Sequence, residues 1–599
     1  MSSSPSASER RQHAARPSVM IARHSSHSTR SEVLNHSLDS RFRARSAVLG
    51  LAFGVAFFAL IARAFWVQCI NDGFYQVQGN IRQIRDFTVH AARGRILDRN
   101  GKILAMSLPT RALWVDARDV PPLSDRKLAA VAALLGIKRS RIEQAYRHHR
   151  SFAYLQRQVP LAIAQAAIRL DIPGLHAESD YRRFYPEGAI AAHVTGFANV
   201  DGKGQEGVER AENAILTGTD GLRRVLRNAR GEVIDSLAFT PPRPGRDIRL
   251  SIDRSIQYAA FKAIQNAVQR TGAQAGSAIV IDAHTGEILA MANWPGYDPN
   301  SRSAREGMHV RNRAATDVFE PGSVLKPLTI ALALQRGVVT PSTIVPTDGG
   351  RLRLDHAVIH DDKNFGTLTV SQVIQKSSNV GTTKIALMMS PQVMWKNFRA
   401  VGLGKPPHTG LPGTTSGSLR PYRTWRRIEQ ATMSYGYGLS ASLLQLAQAY
   451  SVFANDGVFV PATIYIRSRS AVRGHRVYST KVARQVRQML RAVISADGTA
   501  PLAAIPGYTA AGKTGTAYRW TSRGYNRDEY RASFVGMIPA QAPRVIIAVS
   551  IDRPRKGSHF GGAVSGPVFS RIGYDVMRIL NVVPDDPSTQ FACDQCGTS

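Results

Sequence analysis

Cysteine is scarce in this sequence, and acidic residues are few beside basic ones. Three cysteines in 599 residues are too few for a disulfide framework. None of the sixteen histidines stands in an H-E-x-x-H or comparable spacing, so the sequence predicts no catalytic metal and no cofactor. Cys593 and Cys596, in the C-terminal tail 581–599, leave a disulfide, a redox pair or half of a metal site open. A polar tail without such a role is the preferred interpretation.

Lysine and arginine number 77 against 43 acidic residues, which gives a net charge of +34. Such a charge favours anionic partners, and nucleic acid is the first to consider. The charge is spread along the chain, however, and no zinc-finger spacing or RNA-binding aromatic signature accompanies it. We therefore expect no nucleic-acid partner and consider phospholipid headgroups as the anionic partner instead.

The length predicts about two or three folded units, and the composition is that of a globular protein. Residues 1–45 hold eight arginines and few apolar residues, so we expect a disordered cytoplasmic tail. Residues 46–69 are mostly apolar, and a helix of roughly 20 residues crosses a bilayer. An uncleaved, single-pass signal anchor is favoured over a cleaved signal peptide. The basic tail predicts a cytoplasmic N-terminus, with the rest of the chain outside the inner membrane.

Residues 70–245 are predicted to form a mixed scaffold domain. Leu128–Leu170 has helical periodicity, and R-G-R-I-L-D-R-N-G at 93–101 predicts a short strand followed by a turn. Neither stretch carries a triad or a ligand cluster, so we expect this domain to position the next one. Pro241–Gly245 is the predicted linker to it.

Residues 246–580 are predicted to form the last folded unit. A hairpin is expected over 278–293, and the other expected elements are helices near 256–268, 323–335, 369–376, 380–389 and 440–454 and strands at 507–518, 532–538 and 544–551. This order predicts an α+β fold, in which helices pack on a largely antiparallel sheet as an α/β sandwich.

Ser323 and Lys326 form an S-x-x-K pair at the start of a buried helix. Residues three apart share a helix face, so the Lys326 amine is expected to reach the Ser323 hydroxyl. Serine needs a neighbouring base to become a nucleophile, and a lysine whose pKa is lowered by burial and nearby positive charge can be that base. Alone, the pair is a weak signal, because it recurs by chance in long chains.

Two later motifs turn this pair into a strong signal. Ser377-Ser378-Asn379 gives S-x-N, and Lys513-Thr514-Gly515-Thr516 gives K-T-G-T. With S-x-x-K in this order, they resemble the motifs of penicillin-binding proteins and class A β-lactamases. The resemblance implies acyl transfer through a serine ester, with β-lactams as inhibitors.

Further roles follow from the resemblance alone. It implies that Ser377 relays a proton and that Asn379 holds Lys326 and the substrate amide. Lys513 would lower the pKa of Lys326 and attract the substrate carboxylate, which Thr514, Gly515 and Thr516 would bind. Backbone N–H groups of Ser323 and Thr516 would form the oxyanion hole.

The segments 435–447 and 561–569 are similar to those of the division-specific class B penicillin-binding proteins, and 93–101 resembles the marker of their pedestal. The resemblance implies a transpeptidase that cross-links peptidoglycan stem peptides at the septum, with a polytopic glycosyltransferase and other division proteins as partners. The elongation-specific paralogue is the alternative. Leu411-Pro412-Gly413-Thr414 departs from the family, which usually carries an acid after the glycine.

Three other functions are less well supported. Gly507–Thr514 matches the Walker A pattern, but Pro506 precedes it and the sequence continues as a strand instead of a helix. A β-lactamase needs a base for deacylation, and the acids between Asn379 and Lys513 (Glu429, Asp456 and Asp497) lie in no E-x-x-L-N setting. A penicillin-sensing receptor would need further membrane spans or a signalling domain.

Overall fold

The computed structural model describes residues 32–70, 84–117, 123–147, 152–227, 233–521 and 524–586, together with Gly73, Val120 and Pro121. The predicted tail as far as residue 31 and the pair Cys593 and Cys596 lie outside the described residues. The chain divides into two compact units, one of residues 1–85 and 225–235 and the other of the remainder.

The first unit contains one long helix, Glu32–Phe65, continued by a π-helical turn, Trp66–Ile70. Within it, Arg43–Ile70 is long and apolar enough to cross a membrane, with a mean hydropathy of 2.2. The helix begins at Glu32, so the expectation that residues up to 45 are disordered is wrong for residues 32–45. Three strands, Ile84–Val89, Gly221–Arg227 and Val233–Thr240, lie where the chain passes between the two units.

The second unit begins with the scaffold domain. Its long strand, Ile103–Val115, pairs antiparallel with Ala153–Val159 and Leu175–Phe184. Three helices pack on these strands, namely Asp125–Leu135, Arg139–Arg147 and Leu161–Arg169. The core between the helices and the strands includes Leu113, Val131 and Leu155. Short helices follow at Ala192–Thr195, Gly207–Ala211 and Asn213–Leu216.

The segment 93–101 ties the scaffold to the domain that follows. Ile96–Leu97 pairs with Ile103–Val115 on one side and, in parallel, with Ile248–Arg249 on the other. The chain therefore rejoins the scaffold sheet after the predicted linker, and Ile248–Arg249, assigned to the last unit, belongs to that sheet. Asp98 accepts the backbone N–H of Arg254 at 3.1 Å, which fixes the first turn of the next helix.

A five-stranded sheet forms the centre of the last domain. Its strands are β1 (Ala275–Asp282), β2 (Ile288–Trp294), β3 (Ala511–Thr521), β4 (Gly524–Ile538) and β5 (Val545–Asp552), in the order β2-β1-β5-β4-β3. Every neighbouring pair is antiparallel, as predicted. All residues of β1 and β5 are buried, which explains why these strands read as nearly continuous apolar runs. β3 is an edge strand, so one side of its backbone is not paired within the sheet.

The last domain also contains helices, which pack on the sheet and around the predicted site residues. They are α1 (Arg254–Thr271), α2 (Lys326–Gln335), α3 (Val370–Lys376), α4 (Asn379–Leu387), α5 (Thr480–Ala492) and α6 (Gly566–Ile579). The remaining helices are Arg313–Thr316, Pro391–Ala400, Arg427–Ser434, Leu443–Ala449, Ser451–Ala454 and Gly561–Val564. Short strand pairs join Val318–Phe319 to Ala441–Ser442, Ile344–Pro346 to Thr367–Thr369, Arg351–Leu354 to Ala357–His360, and Val458–Phe459 to His475–Arg476. The expected α+β fold with an antiparallel sheet is confirmed.

Candidate active site

Ser323 lies in a single 3-10 turn, Gly322–Leu325, that runs directly into α2. Pro327 occupies the first turn of α2, where its missing N–H leaves no hydrogen bond unmade. Lys326 through Leu334 are all buried, so α2 crosses the domain interior and holds this turn rigidly. The Ser323 side chain is only partly buried, and its hydroxyl has no hydrogen bond to any described residue.

The Lys326 amine is fully buried and turns towards Ser377. It donates to the Ser377 carbonyl and to the Ser377 hydroxyl, the latter at 3.2 Å. The expected hydrogen bond between Lys326 and the Ser323 hydroxyl is not among the contacts of the described residues. Ser323 and Lys326 are three residues apart, and the turn that holds Ser323 leads directly to Lys326 at the start of α2.

Ser377 occupies the corner between α3 and α4. Its φ of 63° and ψ of 35° place it in the left-handed region, which is uncommon for a residue other than glycine. Backbone strain of this kind costs of order 1–3 kcal/mol and is held by the surrounding structure. Here the corner directs both the carbonyl and the hydroxyl of Ser377 at the Lys326 amine.

Lys513 reaches the same hydroxyl from β3. Its side chain is completely buried, and Nζ donates to Ser377 Oγ at 2.9 Å and to Thr514 Oγ1 at 3.1 Å. The fold therefore brings three distant segments of the sequence into one cluster, which contains Ser323, Lys326, Ser377 and Lys513. Lys513 is followed by strand as far as Thr521, which agrees with the prediction that Gly507–Thr514 is not a nucleotide-binding loop.

Burial is the main cause of unusual protonation in this cluster. It lowers the pKa of Lys326 to about 7, against the opposing charges of Asp361 and Asp362. Burial, followed by repulsion from Lys326, lowers the pKa of Lys513 well below its usual value. Desolvation is thus the main cause of the lowered pKa of Lys326, as expected from its burial, and the further contribution expected from Lys513 stays a prediction.

The close approach of β3 to the Ser323 turn depends on Gly515. A Cβ built on Gly515 would collide with Ser533 Oγ and would lie 2.8 Å from Val324 and 2.9 Å from the Pro321 carbonyl oxygen. Gly436, with φ of 92°, approaches the other side of this turn and accepts the Gly322 N–H at 3.1 Å. The nucleophile turn is thus clamped between β3 and the Gly436 loop.

The remaining predicted site residues lie around this cluster. Thr514 shares a hydrogen bond with Thr499 at 3.1 Å, and the Thr516 hydroxyl accepts the Gly561 N–H at 2.9 Å. The Asn379 amide donates to the His360 carbonyl at 2.8 Å. The expected contact between Asn379 and Lys326 is not among those of the described residues.

Sequence reasoning missed Asp361, which holds the S-x-N segment in place. Its carboxylate accepts Ser378 Oγ at 2.7 Å and the N–H groups of Asn379 and Val380 at 2.5 and 2.9 Å. The two N–H groups belong to the first turn of α4, where they have no partner within the helix. Asp361 stands outside every motif, so no spacing pointed to it.

Glu320 is a second carboxylate that the sequence analysis missed. It accepts the Gly438 N–H at 2.7 Å and the Tyr525 hydroxyl at 3.0 Å, while burial raises its pKa. Tyr437 packs edge-on against Tyr525, with ring centroids 5.8 Å apart. These contacts join the loop before Ser323 to the turn between β3 and β4. The E-P-G-S sequence placed Glu320 beside the nucleophile, but only the fold shows its partners.

The cluster has the parts that acyl transfer through a hydroxyl requires: a hydroxyl without a hydrogen bond to a described residue, a buried amine whose pKa is lowered to about 7, and a second amine that can attract negative charge. In the described part of the chain, no group of three or more His, Cys, Asp or Glu residues is placed to hold a metal ion.

Comparison with known families gives two matches. The penicillin-binding protein transpeptidase domain matches residues 276–573, and the penicillin-binding protein dimerisation domain matches residues 88–250. The chain is 38% identical to the probable peptidoglycan D,D-transpeptidase PenA of Neisseria meningitidis over 90% of its own length and 94% of that protein. It is also 38% identical to the peptidoglycan D,D-transpeptidase FtsI of Escherichia coli, over 90% and 92%.

Solved structures show the same similarity. The transpeptidase domain of Burkholderia pseudomallei penicillin-binding protein 3 is 53% identical, covers 56% of this chain and 98% of its own, and has a TM-score of 0.53. Penicillin-binding protein 3 of Mycobacterium tuberculosis, complexed with aztreonam, is 31% identical over 84% of this chain and 99% of its own, with a TM-score of 0.64.

Proposed function

Because the chain belongs to the class B peptidoglycan D,D-transpeptidases of the FtsI and PenA type, we propose that it cross-links stem peptides at the division septum through an ester on Ser323. The substrate would be a stem peptide ending in D-Ala-D-Ala. The observation that carries this proposal is the buried Lys326 amine, whose pKa burial lowers to about 7 and which lies three residues after Ser323, at the start of α2.

In the acylation step, Ser323 Oγ attacks the carbonyl carbon of the penultimate D-alanine while its proton passes to Lys326. The bond to the terminal D-alanine breaks, and its nitrogen takes the proton of Lys326 through Ser377, which leaves Lys326 neutral again. The Ser377 hydroxyl suits this relay because it is hydrogen-bonded to both lysine amines.

In the second step, the amine of another stem peptide attacks the ester and gives a proton to Lys326, which passes it to Ser323 Oγ as the ester bond to Ser323 breaks. Lys513, Thr514 and Thr516 bind the carboxylate of the donor peptide. The backbone N–H groups of Ser323 and Thr516 stabilise the oxyanion, a contribution of about 3–4 kcal/mol per donor. Asn379 orients the substrate amide at the start of α4.

The proposed setting follows from the apolar helix and the family. We infer a helix across the inner membrane with the N-terminus in the cytoplasm, and a periplasmic part in which residues 70–245 form the pedestal and 246–580 the transpeptidase domain. Cross-linking needs glycan strands close by, so a membrane glycosyltransferase and other division proteins are the expected partners. β-Lactams, which resemble D-Ala-D-Ala, are the expected inhibitors.

Labelling with a fluorescent penicillin tests the nucleophile. We expect the full-length protein in detergent to be labelled, Ser323→Ala to remain unlabelled, and Lys326→Ala to be labelled far more slowly. Ser342→Ala is the matched control, since Ser342 is exposed and outside the cluster. A Ser323→Ala protein that still takes up the label would overturn the assignment.

Depletion of the protein in its host tests the septal role separately. Cells that can elongate but cannot close a septum grow as filaments, whereas loss of an elongation enzyme gives round cells. Round cells would replace the septal proposal with the elongation-specific alternative and leave the chemistry at Ser323 unchanged.

A further inference from the structure

A cleft lined by arginines lies apart from the Ser323 cluster. Its volume is about 860 Å³. Four of the residues that line it are arginines and one is an aspartate, namely Arg469, Arg484, Arg487, Arg491 and Asp456. We call this cleft, with all the residues that line it, the basic cleft. Neither Ser323, Lys326, Ser377 nor Lys513 lines it.

The sequence concentrates positive charge around the basic cleft. Between Asp456 and Asp497 there is no acidic residue, while eight positions are lysine or arginine: Arg467, Arg469, Arg473, Arg476, Lys481, Arg484, Arg487 and Arg491. This stretch is a local concentration of positive charge, and the acyl-transfer chemistry does not use it.

Folding places much of this charge on one side of α5. The helix buries an apolar face that includes Val482, Val486, Met489 and Leu490. Arg484 and Arg491 stand on the exposed face, one side of the basic cleft, and Arg469 belongs to the loop that closes the other side. Packing of this apolar face holds the helix against the core. The core therefore determines where the backbone of each arginine lies.

A single carboxylate forms ion pairs with two of the four arginines. Asp456 pairs with Arg484 at 2.8 Å and with Arg487 at 3.1 Å. Arg469 and Arg491 are exposed, and neither has a carboxylate partner among the described residues. The basic cleft therefore keeps an excess of positive charge after its internal ion pairs are formed.

The other lining residues favour a peptide over a bare phosphate. Gln488 and Gln541 offer side-chain amides, which match the N–H and C=O groups of an extended backbone. Val458, Val460 and Val472 add apolar surface, which a phosphate group cannot use. Arginine binds carboxylates with two parallel hydrogen bonds, so its use here instead of lysine suits Asp and Glu side chains.

We propose that the basic cleft is a docking site for an acidic peptide segment of a partner protein. Arg469 and Arg491 bind carboxylates of the segment, the glutamines bind its backbone, and the valines contact its apolar side chains. This interaction is separate from acyl transfer, so penicillin labelling at Ser323 reports folding independently of docking.

Fluorescence anisotropy with a short labelled peptide of alternating glutamate and leucine tests the proposal on the full-length protein in detergent. We expect binding that weakens with salt, and no binding of the glutamine–leucine counterpart. Arg469→Gln with Arg491→Gln should weaken binding by about tenfold, as expected for the loss of two partly exposed charged hydrogen bonds. Penicillin labelling of this variant should equal that of the wild type.

Arg126→Gln with Arg141→Gln is the matched control, because it removes two exposed arginines from the scaffold domain and changes the net charge equally. Its binding should be unchanged. An equal loss in both variants would show attraction to the overall charge and overturn the site. The labelled peptide is also displaced with pyrophosphate and with unlabelled glutamate–leucine peptide. If pyrophosphate displaces it at the lower concentration, the assignment to an acidic peptide is overturned. Failure of the wild type to bind the peptide would also overturn it.

Discussion

Lys326 and Lys513 donate to one oxygen, the hydroxyl of Ser377, at 3.2 and 2.9 Å. A hydroxyl oxygen has two lone pairs, and both are occupied when it accepts from two amines. The Ser377 hydroxyl can then donate its own proton to a third group. In the proposed mechanism, this arrangement lets a proton pass from Lys326 through Ser377 to the leaving amine.

The first prediction concerns the pH dependence of acylation. Burial lowers the pKa of Lys326 to about 7. The amine accepts a proton only when it is neutral, which is the case above that pKa, so the acylation rate should rise with pH around a midpoint near 7. The measurement is the second-order rate of fluorescent-penicillin labelling across neutral pH. A rate that does not change there would show that another group is the base.

The second prediction separates charge from hydrogen bonding at Asp361 and Asp362. Both carboxylates raise the pKa of Lys326, so removing either charge lowers it. Asp362→Asn removes an exposed charge, and its acylation profile should move to lower pH with little loss of the maximum rate. Asp361→Ala also frees Ser378 and the N–H groups at the start of α4.

For Asp361→Ala we therefore expect the maximum acylation rate itself to fall, by about tenfold or more, because Ser377 loses its fixed position. Asp361→Asn can still accept the two N–H groups, and should recover part of that loss while keeping the shifted profile. Equal maximum rates in Asp361→Ala and Asp362→Asn would mean that Asp361 acts through its charge alone.

The motifs predicted which segments form the candidate active site, because each motif places its polar residues within a few adjacent positions. S-x-x-K, S-x-N and K-T-G-T did converge, and the α2 helix and the antiparallel sheet around them are as expected. Asp361 could not be predicted in this way. It meets Ser378 only because the strands Arg351–Leu354 and Ala357–His360 return the chain to the start of α4.

In the scaffold domain, by contrast, one predicted element was wrong. Leu128–Leu170 was predicted as helical, but Ala153–Val159 is a strand. Leu155 and Val159 are four residues apart, so they fit one face of a helix as well as one side of a strand. Pairing with the long strand Ile103–Val115 decides the outcome, and this tertiary contact is invisible in a local pattern.

The third prediction is that Gly515→Ala abolishes acylation. The added Cβ would lie 2.8 Å from Val324 and 2.9 Å from the Pro321 carbonyl oxygen, so β3 or the Ser323 turn must shift. A misplacement of about 1 Å can cost about a hundredfold in rate. Penicillin labelling measures the loss, and thermal unfolding should show a lower midpoint. Gly566→Ala is the control, because its Cβ would meet nothing closer than 3.4 Å. Normal labelling of Gly515→Ala would show that the clamp on the turn is unnecessary.

The fourth prediction concerns Glu209, a fully buried carboxylate in the scaffold domain. It accepts Arg93 Nε at 2.5 Å and Arg183 Nε at 2.6 Å, and both guanidinium groups are themselves almost fully buried. Glu209→Gln would leave two buried cations without a counter-charge, which costs about 3–5 kcal/mol of the free energy of unfolding. We expect a clear fall in the midpoint of thermal unfolding of the full-length protein. Asp125→Asn, which removes a carboxylate of 86% exposure paired with Arg139, should leave the midpoint unchanged. If the two variants unfold at the same temperature, the buried cluster contributes no more than a surface ion pair, and the role of the 93–101 segment must lie in its contacts with Arg254 instead.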